Sequence, residues 1–251
     1  MQLLGFVVGL FSLALEVTLL WRARQGRLLI YFPFFYSYLL YMFCWSLVVF
    51  VTYWAQPSSY ASVYWFYFVL SIVAEFAVLI EVSDHIFRPF PAIRNLGRAI
   101  TILLSVTLGL TYILPTILHS HGRWMALLDF ALRASLTKTV ILGALLLAAH
   151  RYGLRLGKNV AGLMLGFSIY LGVNVANFAL DESFGHLYDN VLWVMSPIAF
   201  TLCLLVWTVT LWELVPVPKS ASLGSTAEEN SDALAYELSR FNDRLSHLLR
   251  R

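Results

Sequence analysis

Residues 29–54 read LIYFPFFYSYLLYMFCWSLVVFVTYW, 26 positions without one Asp, Glu, Lys or Arg, and residues 22–27 just ahead of them read RARQGR. A helix needs about 20 mostly apolar residues to cross a hydrocarbon layer of about 30 Å, whereas a barrel strand needs about half as many. Backbone N–H and C=O groups must be satisfied internally in lipid, so a run of this length is expected to be helical. Working outward from it, six more stretches qualify: Leu3 to Trp21, Ser62 to Val82, Ala99 to Leu118, Met125 to Ala149, Val160 to Leu180 and Asn190 to Leu214. Clusters of polar residues, Pro or Gly separate each from the next. The expected fold is an all-α integral membrane protein, a seven-transmembrane-helix bundle with tight loops over residues 1–214.

Composition agrees. The 251 residues are 60% hydrophobic and 12% charged, with a mean hydropathy of +0.75. Globular domains carry roughly 25% charged residues. Too little polar surface remains to coat a water-soluble body of this size, which excludes a soluble enzyme or a nucleic-acid-binding domain.

The net charge of +3 gains meaning from its placement. Arg22, Arg24 and Arg27 lie in the first loop, Arg88, Arg94 and Arg98 in the third, and Arg151, Arg155 and Lys158 in the fifth. The second, fourth and sixth loops hold Arg123 alone. By the positive-inside rule the N-terminus is outside and the C-terminus cytoplasmic, in a multi-pass protein of the bacterial inner-membrane type. The N-terminal run lacks a basic start and a small-residue cleavage site, and Glu16 interrupts it, so it reads as a span rather than a signal peptide. Cys44 and Cys203 lie inside spans two and seven and read as packing residues; no CxxC motif or disulfide framework is present.

Pro216 and Pro218 close the last span, and residues 215–230 read as a flexible cytoplasmic linker. Within residues 231–251, Leu234, Leu238, Phe241, Leu245 and Leu248 recur at spacings of 4, 3, 4 and 3, the apolar stripe of an amphipathic tail helix. Acidic and basic residues are balanced there, unlike the Lys- and Arg-rich polar face of a membrane-surface helix. The stripe is therefore expected to meet a cytoplasmic partner, a second copy, or the ends of its own bundle.

Ionisable side chains within spans are costly and count as functional hypotheses by default. Glu16 falls in the inner half of span one, Glu75 near the middle of span three, and Arg133 and Lys138 in span five, with Asp129 one turn from Arg133. Span six carries a polar face of Tyr170, Asn174, Asn177 and Asp181. One reading is an outward-opening cavity. Arg133 and Lys138 would take an anionic group, Asn174, Asn177 and Tyr170 would give hydrogen bonds, and aromatics such as Tyr38, Tyr41, Trp45 and Tyr67 would wall it. The other reading is architectural. Lys138 or Arg133 pairs with Glu16 or Glu75, and the Asn side chains join helices. Gly162 and Gly166 form a GxxxG motif in span six, followed by Gly172 and Ala176, which predicts close helix approach. Asp84 and Arg88 are spaced to pair at the end of span three.

His119, His121 and His186 are too loosely spaced for a convincing zinc site, and no GxSxG, HExxH, Walker or Rossmann pattern occurs. No enzyme, metal or cofactor is expected. Span seven lacks the Schiff-base lysine of retinal proteins and the NPxxY of seven-helix receptors; the arrangement is similar only in topology to the seven-span sensor modules of bacterial signalling proteins. The resulting expectation is a sensor- or receptor-like protein that binds a small ligand in the outer half and signals through its tail. The alternatives are an assembly subunit forming homo- or hetero-oligomers, and a small-solute transporter or channel.

Overall fold

The computed structural model describes residues 2–26, 28–55, 60–88, 90–113, 123–151, 154, 156–184, 189–215, 236, 239, 240, 242 and 243. Among these there are no strands. The long helices are α1 (Gln2–Gln25), α2 (Pro33–Ala55), α3 (Tyr60–Ile86), α4 (Pro91–Leu108), α5 (Arg123–Arg151), α6 (Lys158–Phe184) and α7 (Asp189–Thr210). A single turn, Leu28–Tyr31, precedes α2, and a π-helical turn, Gly109–Ile113, extends α4. Four segments are long and apolar enough to cross a membrane: Phe66–Ile86, Pro91–Tyr112, Phe130–Arg151 and Lys158–Asn177; Pro33–Val48 and Met195–Thr210 are shorter apolar helices.

The polarity of the fold is inverted. Leu10, Leu40, Val73, Leu103, Val140, Leu165 and Val209 face outward, whereas Glu16, Glu75, Glu81, Lys138 and Asn159 are buried. On a soluble monomer so much exposed apolar surface would be a liability; against lipid it is the natural exterior. In α4 the inversion is extreme, since only Ala92 and Thr101 of its residues are buried.

The sequence-expected second span is broken. Pro33 has no N–H and a fixed φ, so it opens a helix more readily than it continues one. The chain accordingly makes one turn over Leu28–Tyr31 and restarts at Pro33. Phe32, just ahead, offers no capping side chain, and the first N–H groups of α2 need acceptors. Glu81 of α3 supplies them, taking the Phe34 N–H at 3.0 Å on one oxygen and the Phe35 N–H at 2.8 Å on the other. The carboxylate also sits favourably at the positive end of the helix dipole.

The closest helix pair is α6 with α7, and the GxxxG motif explains it. A methyl group on Gly162 would overlap the Thr210 side chain, and one on Gly166 would overlap the Trp207 indole. Trp207, fully buried, donates its Nε1–H to the Leu163 carbonyl at 3.2 Å. Its ring packs edge-on against Phe35 at 4.8 Å and against Phe167 at 5.1 Å, which brings α2 into the same contact. The expectation extended to Gly172 is not met: a methyl group there would touch nothing within 4 Å.

Helices α1 and α7 end at one face of the bundle, where α6 begins; it is termed the basic end below. The carbonyls left open at the end of α7 are taken by two neighbours. Arg22 donates Nε–H to the Trp212 carbonyl at 2.7 Å and lays its guanidinium over the Trp212 ring at 5.1 Å. Asn159 donates to the Thr210 and Glu213 carbonyls at 3.0 and 2.7 Å, and its Oδ1 accepts the Val215 N–H at 2.8 Å. At the same end Asp84 pairs with Arg98 of α4, not with the expected Arg88. Arg88 is one turn away on its own chain, but the short α3–α4 connection folds Arg98 back beside Asp84, and Arg88 is exposed.

Replacing Gly166 by Val should destabilise the bundle by about 1–3 kcal/mol, the usual cost of overpacking, while Gly172→Ala should be neutral or mildly stabilising. Thermal unfolding of both variants in one detergent checks the contrast.

Candidate functional site

The interior polar groups fall into a chain that crosses the bundle. Lys138 of α5 and Glu75 of α3 form an ion pair through Nζ and Oε2, with each side chain only 3% exposed. The paired arrangement anticipated for Lys138 is therefore the one found, and it spends the lysine on a carboxylate. An ion pair so buried offsets its desolvation only while both partners are present.

Next to this pair stands Tyr38 of α2, buried, with no hydrogen-bond partner on its hydroxyl. It lies within electrostatic reach of Glu75 of α3, Tyr170 of α6, Cys203 of α7 and Glu16 of α1. Its ring packs on Phe167 at 5.9 Å. Glu16 is also completely buried, and neither carboxylate oxygen has a hydrogen-bond partner. One turn from Glu16 on α1, Ser12 lies 2.7 Å from the Thr201 hydroxyl of α7. Thr201 in turn donates its hydroxyl to the Pro197 carbonyl at 2.8 Å, one turn back on its own helix. Farther from the basic end, Asn177 of α6 donates to Ser196 of α7 at 2.8 Å.

The other residues expected in a ligand cavity have separate neighbours. Arg133 is exposed and places its guanidinium 5.1 Å over the Tyr112 ring. Tyr170 is half-buried, edge-on to Phe200 at 5.9 Å, and Asn174 is half-buried on the same helix. Tyr41, Trp45 and Tyr67 form a mutual aromatic cluster with centroids 6.1–6.3 Å apart, and the Tyr41 hydroxyl donates to the Tyr67 carbonyl. A shallow groove of about 460 Å³ lies at the basic end instead, lined by Lys158, Thr208, Val209, Trp212 and Glu213. Asp129 and Asp181 fall where the backbone alone is described, and His119, His121, His186 and Pro115 lie outside the described residues. Cys203 is buried as a packing residue should be, but Cys44 is exposed on the apolar exterior.

The tail stripe of Leu234, Leu238, Phe241, Leu245 and Leu248 also lies outside the described residues. Asn242, on the same segment, is described. Its Oδ1 accepts the Ala92 N–H at 2.8 Å, capping the start of α4 where Phe90 provides no side-chain cap. At this residue the tail meets its own bundle.

Two positioning residues escape the sequence reading. Glu81 lies just inside the end of the expected third span and is not among the ionisable residues singled out above; the missing cap before Pro33 is the signal that a helix start needs an acceptor. Asn159 reads as an unremarked polar residue at a helix start, and only the three-dimensional closeness of the α7 terminus reveals its role.

No family model, curated protein or solved structure matches this chain.

Removing either partner of the buried pair, by Glu75→Leu or Lys138→Met, should cost about 3–5 kcal/mol, because the other charge is left alone in the interior. The double variant should recover most of that loss. A double-mutant cycle on unfolding midpoints in detergent measures the coupling.

Proposed function

We propose that the chain is a seven-span membrane protein, N-terminus outside and C-terminus cytoplasmic, that works as a sensor: a small ligand in the outer half biases the bundle, and the tail reports it to a cytoplasmic partner. The basic end, with Arg22, Arg98, Arg151 and Lys158, is then the cytoplasmic one. Arg133, Asn174, Asn177 and Tyr170 are the ligand-facing residues in this reading, with Lys138 held at mid-bundle by Glu75. An anionic ligand that reaches Lys138 competes with Glu75 and so loosens α3 from α5.

The observation that carries the reading is the seat of the tail. The Asn242 contact to Ala92 ties the tail to the start of α4, and the Asp84–Arg98 bridge ties α4 to α3, the helix that also carries Glu75 and Glu81. Any shift of α3 is thereby transmitted to the atom on which the tail rests. Elements that switch in this manner are bistable contacts biased by small displacements.

Asn242→Ala removes a cap worth about 1 kcal/mol, which corresponds to roughly a fivefold rise in the fraction of released tail. Tryptic cleavage at the exposed Arg240, which tracks the open population when closing is fast, should accelerate by that factor with the unfolding midpoint unchanged. In the sensor reading Arg133→Ala and Asn174→Ala also alter this cleavage rate. Cleavage indifferent to both outer-half variants would remove the coupling from the bundle to the tail.

A further inference from the structure

The buried carboxyl group of Glu16 has no role in the ion pair, in helix capping or in the tail seat. Both its oxygens are fully enclosed and neither meets a donor. An ionised carboxylate left bare in such surroundings is among the most expensive arrangements a protein can hold. A neutral acid needs far less. The neighbouring groups do not supply a compensating charge. Tyr38 from α2 is uncharged and itself unpartnered; Cys203 of α7 and Tyr170 of α6, gathered around Tyr38, are uncharged too; Glu75 of α3 carries the same sign as an ionised Glu16; and Lys138 of α5, the cation beside them, is joined to Glu75.

We propose that Glu16 is a proton-binding site inside the bundle. The ligand is the proton itself. It binds a carboxylate oxygen, converts the group from an anion to a neutral acid, and displaces no leaving group. The single hydroxyl hydrogen of Thr201 goes to the Pro197 carbonyl, so in the 2.7 Å contact Ser12 donates to Thr201. Ser12, the hydroxyl one helical turn from Glu16, thus has its hydrogen committed to Thr201 and gives the carboxyl none. Tyr38, with no partner on its hydroxyl, lies within electrostatic reach of both Glu16 and Glu75. A proton gained or lost at Glu16 thus changes the field felt at the one buried ion pair described in the bundle. This inference does not depend on the sensor reading or on which end faces the cytoplasm.

The test is infrared spectroscopy of the full chain in lipid nanodiscs at neutral pH. The stretching band of a protonated carboxyl group is expected in the wild-type protein, absent from Glu16→Gln, shifted in Glu16→Asp and retained in Glu75→Gln. The amide of Glu16→Gln mimics the neutral acid, so its unfolding midpoint should stay close to wild type; should that variant fail to fold, the Glu16→Asp shift assigns the band. A wild-type spectrum without the band, or a band that persists in Glu16→Gln, overturns the site.

Discussion

Four helices depend on one missing side chain. Because Gly166 has no Cβ, the Trp207 indole lies against the backbone of α6 and donates to Leu163. The same ring receives Phe35 from α2, and the Phe35 N–H is held by Glu81 of α3. Helix α6 thus meets α7 at backbone distance, α7 meets α2 through edge-on rings, and α2 meets α3 through a cap. In lipid the hydrophobic effect gives helices no reason to associate, so van der Waals fit and hydrogen bonds must supply the attraction. A tryptophan laid on a glycine face offers both: a large contact area and one buried donor that finds its acceptor.

Three buried carboxylates among the described residues illustrate how environment assigns work to one functional group. Glu81 is matched to backbone donors, Glu75 to an ammonium, and Glu16 to nothing in its surroundings. The first two are stable architecture, since a satisfied buried charge is costly mainly when a partner is removed. The third is different in kind. Its surroundings tolerate only the uncharged form, which links it to the supply of protons rather than to the packing of helices.

The helical, membrane-type character was legible in uncharged runs such as residues 29–54, because length and apolarity are properties of the chain itself. So were the close approach at Gly162 and Gly166 and the pairing of Lys138 with an acid, since small-residue spacing and the cost of a lone buried charge each leave a mark in sequence. Which acid was not legible: Glu16 and Glu75 are equivalent until the helices are arranged. The same holds for Asp84, whose partner at helical spacing, Arg88, loses to Arg98 across a tight connection. The break at Phe32 and Pro33 was visible as a proline but hidden by the apolarity on either side. Asn159 and Asn242 act through backbone atoms of distant elements, and backbone acceptors carry no sequence signature.

The grip of Asn159 on both sides of the α7 terminus has a consequence for any molecule that recognises the tail. Val215 is fixed by Asn159, and Asn242, further along the same chain, meets Ala92. The tail is therefore a tethered ligand of its own protein, held near its seat at an effective concentration that a short tether sets on the order of millimolar. A free protein competing for the same surface must overcome that local abundance. It does so either by binding far more tightly than the tail or by waiting for the bundle to weaken the seat first.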